Sequence, residues 1–264
     1  MIRVSDLRHH GIKGQKWGVR RFQNKDGSLT PAGEKRYYVE SDKRITDNND
    51  GKSSTIPKGY KFNRVGQANM DINSAGALYV SSGKADATRY MRALGPTLIG
   101  KLMGQYGTTI QHIEVKENLK KASDKETAKI TLDILESNPK ILKELNESLY
   151  VGEPVDTATI KKARSNLNGK DATRIAYGLN SMIGDTTNYK EEAKKVYDTF
   201  RENGYDAIPD LHDILSGTSQ TATIIINPNK LEITSTTTIT KDLMKEGKNY
   251  LKTLEKLPVS ELLE

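Results

Sequence analysis

The stretch Lys58–Tyr90, KGYKFNRVGQANMDINSAGALYVSSGKADATRY, constrains the fold more than any other part of the chain, because it puts an arginine among aromatics on a strand. In KGYKFNRVG, Tyr60, Phe62 and Arg64 alternate with Lys61 and Asn63. Strand side chains repeat every second residue, so this spacing predicts Arg64 on the face that carries the two rings. Two roles are open for such a cation. It caps a sheet edge or pairs with an acid such as Asp71, or it meets an anionic ligand. Gly76 then opens ALYVSS, where Leu78 and Val80 alternate with Tyr79 and Ser81, which predicts a second short strand ending in Ser81, Ser82 and Gly83. From Ala85 the pattern turns helical and places Tyr90 one turn in. Ser81 and Ser82 before a glycine also fit ordinary turn chemistry, and Tyr90 also fits a core position.

Downstream, the helical pattern of DATRYMRALGPTLIGKLMG is interrupted near Gly95–Pro96, since proline cannot continue the hydrogen-bond ladder. Ile110–Val115 alternates as a strand, and Ile130, Ile134, Ile141 and Leu145 then recur at helical spacing. Further helices are predicted over 158–167, 170–182 and 189–203, and Gly204 closes the last of them. YDAIPD and TATIIINP read as strands, KLEITSTTTI as a β-branched edge strand, and Lys241–Glu264 as a terminal helix. A chain of 264 residues has ample capacity for a core without staples, and the absence of cysteine excludes disulfides and thiolate catalysis. His9 and His10 are adjacent and make a poor metal pair, so no metal site is expected. No segment approaches the ~18 apolar residues of a membrane span, and the N-terminus lacks the apolar core of a signal peptide. A soluble protein with no membrane partner is expected.

The formal charge of +7 is unevenly placed: residues 1–36 hold nine Lys or Arg against three acids, and the remainder is nearly neutral. The basic part, HHGIKGQKWGVRRFQNKDGSLTPAGEKRYY, is punctuated by glycines and has little core-forming content. A solvated arm and a nucleic-acid contact, with Lys and Arg on phosphates and Trp17 stacking on a base, both fit that composition. Residues 41–56, which include SDKRITDNNDGKSS, read as a linker.

Arg64 on an aromatic strand face, Ser81 and Ser82 ending the next strand, and Tyr90 in the following helix resemble the start of the ADP-ribosyltransferase fold. Ile110–Ala122, Gly204–Asp213 and Ala222–Ile233 resemble that family's later strands in order. The resemblance implies an α+β domain over 57–238, with a split mixed or antiparallel β core and a large helical insertion at about 123–203 that caps the cleft or binds a partner. A C-terminal helix follows over 239–264. It also implies NAD as substrate, held by Arg64, Ser81 or Ser82, and Tyr90, with a host protein as target. The segment HHGIKGQKWGVRRFQNKDGSLTPAGEKRY is in turn similar to one near the start of many virion-associated proteins of phages that infect Gram-positive bacteria. That similarity implies a bacteriophage protein of the virion or host cytoplasm, docked through residues 1–40 to a head or portal component or to packaged nucleic acid.

The chain departs from the family at the acid. Its arginine-serine-glutamate members place a glutamate just before the strand that corresponds to ATIIINP, whereas here the approach is GTSQTAT, with Gln220 nearest in kind. An amide carries only a dipole where developing positive charge needs a fixed negative one. The candidate acids are Asp210 and Asp213 in AIPDLHD, which also fit the capping of a short helix. An active transferase and an inactive virion protein that keeps the fold for structural interaction are therefore both open.

Overall fold

The structure is a computed structural model, and it describes residues 40–66, 72–94 and 107–254. Its strands are β1 (Thr46–Asp47), β2 (Ser53–Ile56), β3 (Lys61–Gly66), β4 (Leu78–Val80), β5 (Thr109–Val115), β6 (Leu119–Ala122), β7 (Ala207–Pro209), β8 (Thr223–Ile225) and β9 (Leu231–Thr238). Its helices are α1 (Gly83–Leu94), α2 (Asp124–Ser137), α3 (Pro139–Glu147), α4 (Thr157–Ser165), α5 (Lys170–Gly184), α6 (Lys190–Glu202), α7 (Leu211–Leu215) and α8 (Lys241–Leu254). The architecture is mixed α/β with one mixed sheet.

Six strands form one sheet in the order β1-β2-β6-β7-β8-β4, and β3-β5-β9 form a second, antiparallel one. Within the larger sheet only β6 and β7 run parallel. A parallel pair cannot be joined by a tight turn and needs a long crossover. Helices α2–α6 supply it, so this helical block is the β6–β7 connection. The two sheets meet where Asn63 of β3 bridges Ser81, each donating its backbone N–H to the other's carbonyl at 2.7 and 3.1 Å.

Three apolar clusters follow from the strand and helix periodicities. Ile134, Leu135, Ile175, Leu179 and Phe200 of the helical block cover Ile208 and Ile224 on one face of the six-stranded sheet. Phe62, Ile113 and Val115 of the smaller sheet pack with Leu78, Leu119 and Ile225 of the larger one. Val65 and Ile110 lie with Ala87 and Met91 of α1 and Leu243 of α8. Fully burying each such side chain stabilises the fold by roughly 1.5–3 kcal/mol.

Two expectations on organisation change. Residues 41–56 are not a plain linker, because β1 and β2 lie there and form the edge of the larger sheet. The helical block does not cap a cleft between the sheets; it packs on the larger sheet through the first cluster. The terminal helix is described from Lys241 to Leu254. The basic head over 1–39, Asp71 and the helix break at Gly95–Pro96 lie outside the described residues.

Candidate functional site

A cleft of about 110 Å³ opens where the two sheets meet, lined by Asn63, Arg64, Val65, Tyr79, Val80, Ser81, Tyr90 and Leu94. Three elements bring three of the sequence candidates to it: Arg64 from β3, Ser81 from the end of β4 and Tyr90 from α1. The Arg64 guanidinium donates from Nη1 to Gln111 Oε1 at 3.2 Å. It also folds back over Gly66, where an added Cβ would stand 2.3 Å from Nη1. Asn63 of the lining, and Gln111 and His112 that bond to Arg64 and Asn63, are buried polar residues. His112 Nδ1 lies 3.2 Å from Asn63 Oδ1 and its Nε2 3.1 Å from Thr237 Oγ1, which satisfies both ring nitrogens. Burial disfavours the imidazolium and pulls the His112 pKa below its ordinary value.

Tyr90 connects the cleft to the acids. Its hydroxyl donates to Asp213 Oδ2 in a short hydrogen bond. Burial, and then that bond to Asp213, push the phenol pKa up, so Tyr90 stays protonated. Asp210 is 3% exposed and caps α7, accepting the Asp213 backbone N–H at 3.4 Å. Burial and the neighbouring Asp213 charge raise its pKa to about 7. The larger sheet also reaches the cleft through Tyr79, whose hydroxyl lies 3.0 Å from that of Tyr197 on α6. Burial, with Tyr197 close by, raises its pKa as well.

The structure thus brings Arg64, Ser81 and Tyr90 to the cleft; Asp213 is joined to it through the Tyr90 hydroxyl, and Ser82 and Asp210 do not line it. Ser82 does not line it: its backbone N–H donates to Thr221 Oγ1 at 2.8 Å and its hydroxyl accepts from Tyr60 at 3.0 Å. Asp210 acts as a helix cap, the alternative its sequence position allowed. Missed from sequence were Asn63, Gln111 and His112, and also Asp86, a buried acid in the first turn of α1 that binds the loop before β8. A signal existed for Gln111 and His112, since two adjacent polar residues inside an apolar strand cannot both face solvent.

A second concavity, about 630 Å³, lies between the start of α3 and α6 and holds none of the candidates. Its charges are paired, Lys140 of α3 with Glu192 of α6 at 2.6 Å across it and Lys194 with Asp198 at 2.9 Å along α6. Among the described residues no group of three or more His, Asp or Glu could hold a metal, and no helix is long and apolar enough to cross a membrane. Fold and site therefore define a mixed α/β protein with an arginine-bearing cleft. No protein family, curated protein or solved structure matches the chain.

Proposed function

We propose that the chain is an ADP-ribosyltransferase-like protein that holds NAD at the cleft and modifies a host target, with residues 1–40 docking it to a phage head or portal component or to packaged nucleic acid. The convergence of Arg64, Ser81 and Tyr90, from three separate elements, on one cleft supports this reading most. Arg64 offers a charge-assisted partner for a pyrophosphate. Tyr90, protonated and fixed by Asp213, offers a ring face to the nicotinamide. In transfer the ribose–nicotinamide bond breaks with its electron pair leaving on nicotinamide, and the acceptor's nucleophile bonds to the ribose carbon and releases its proton to solvent. The Asp213 carboxylate stabilises the positive charge that develops between those events.

The cleft's volume fits this role in part, since whole-ligand sites run to roughly 300–1,000 Å³. The cleft accommodates one ring, and the rest of the dinucleotide would extend beyond it. One observation favours a second reading, a binding protein without transfer: among the described residues that line the cleft none is a carboxylate. Calorimetric titration with NAD, coupled to labelling of host lysate and of the protein itself, tests both. Wild type is expected to bind, and Arg64→Ala to lose about tenfold or more in affinity, as one desolvated contact to a phosphate contributes ~1.5–3 kcal/mol. Transfer is expected to vanish in Asp213→Asn with NAD affinity retained. Binding without any labelling selects the second reading, and absence of binding at millimolar NAD rejects both.

A further inference from the structure

Asp86 is 3% exposed, yet all the groups bonded to one of its oxygens come from a single loop on the far side of the chain. Oδ2 accepts the Ser219 hydroxyl at 2.5 Å, the Thr221 hydroxyl at 2.6 Å, the Thr221 N–H at 3.0 Å and the Gln220 N–H at 3.2 Å. Oδ1 accepts Arg89 Nη1 at 2.7 Å. A buried carboxylate is costly unless it is fully hydrogen-bonded, and this one satisfies that condition by ordering three consecutive residues just before β8. Asp86 and Tyr90 stand four apart on α1 and share one helix face. Asp86 fixes 219–221, Tyr90 holds the Asp213 side chain, and the Ser219 backbone N–H donates to the Asp213 carbonyl at 3.1 Å. The two contacts are thus linked through Ser219.

We infer that Asp86 is a positioning residue for the transfer step: by fixing Ser219, which bonds the Asp213 carbonyl, it fixes Asp213 and its carboxylate beside the cleft. This rests on the transferase reading above. Asp86 is not among the residues that line the cleft, and its side chain acts through Ser219 on Asp213 rather than on the cleft-lining groups. Its loss therefore misplaces the carboxylate without removing a ligand contact, and a misplacement of about an ångström lowers turnover by as much as a hundredfold. Thr221 extends the same clamp to β4 by accepting the Ser82 N–H.

The test compares wild type, Asp86→Asn and the double variant Ser219→Ala/Thr221→Val. The double variant removes the two hydroxyl donors with little change in volume and keeps the charge, whereas Asp86→Asn keeps the donors and removes the charge; thermal unfolding shows which of the two is folded, and the folded one carries the test. NAD turnover is followed by nicotinamide release, with kcat and KM separated, and NAD affinity by calorimetry. Expected is a fall in kcat of about tenfold or more with KM and affinity within about twofold. Folded variants with unchanged kcat, or with affinity lost in step with kcat, overturn the positioning role and leave the transferase reading standing. Wild type that neither binds nor turns over NAD overturns both.

Discussion

At the scale of single residues, Asp210 has the most direct consequence for stability. Its pKa is raised to about 7 in the folded chain against about 3.9 unfolded. A group whose folded pKa is raised contributes stability that is complete below the unfolded value and is lost as pH rises through the folded one. The chain should thus lose stability between about pH 4 and 7 through this residue. Asp210→Asn keeps a capping oxygen for α7 and removes the titration. It should raise stability at pH 8 by an amount on the order of 2–3 kcal/mol and do little at pH 4, as measured by urea unfolding at both values. Gly66 has the opposite profile, since an added methyl meets the far end of the Arg64 side chain and nothing rigid. Gly66→Ala should leave the melting temperature nearly unchanged while NAD affinity drops about tenfold, measured by calorimetry. Arg64, Ser81 and Tyr90 were legible because a charge among aromatics, a hydroxyl at a strand end and a helical spacing are local patterns. Asp86 was not, because its partners lie more than 130 residues away.

Among the secondary-structure elements, helices were legible to within a few residues. Ile130, Ile134, Ile141 and Leu145 repeat at helical spacing, and all four are buried. Pro139 at the first position of α3 separates α2 from α3. The β1–β2 hairpin escaped notice because its residues are almost all polar, so no alternation marks it. It is held instead by turn chemistry: Asp50 accepts the Lys52 and Ser53 N–H groups at 2.8 and 2.9 Å, and Gly51 has φ +63°. Asp-Gly between short polar runs was the available signal. Within the helical block, α5 passes so close to the loop before α4 that a Cβ on Gly178 would stand 2.4 Å from Val151 Cγ1. Alanine gains up to ~1 kcal/mol of helix propensity there, whereas overpacking a stiff valine costs ~1–3 kcal/mol. Gly178→Ala should accordingly destabilise the fold by about 1 kcal/mol in urea unfolding and leave NAD affinity unchanged, because the block packs away from the cleft.

For the whole molecule, nearly all the net charge lies ahead of the first described strand. Sheet order was not legible, because which strands meet depends on contacts distant in sequence; the parallel β6–β7 pair leaves no mark in either strand's composition. The place of the charge was legible, and it makes a docking role for the head separable from the fold. A cut at residue 50 would remove β1 and Asp50, and with them the edge of the larger sheet and the bonds that hold its turn. A cut after residue 39 removes neither. Deleting residues 1–39 should therefore leave the melting temperature nearly unchanged and abolish incorporation into particles. In the intact protein, particle retention should weaken steeply between 50 and 200 mM salt if the partner is packaged nucleic acid, since several neutralised phosphates then lose counterion-release energy together. A shallow salt dependence would point to a protein partner in the head. A truncated chain incorporated at the wild-type level would show that docking resides in the folded domain and that the basic head does not carry it.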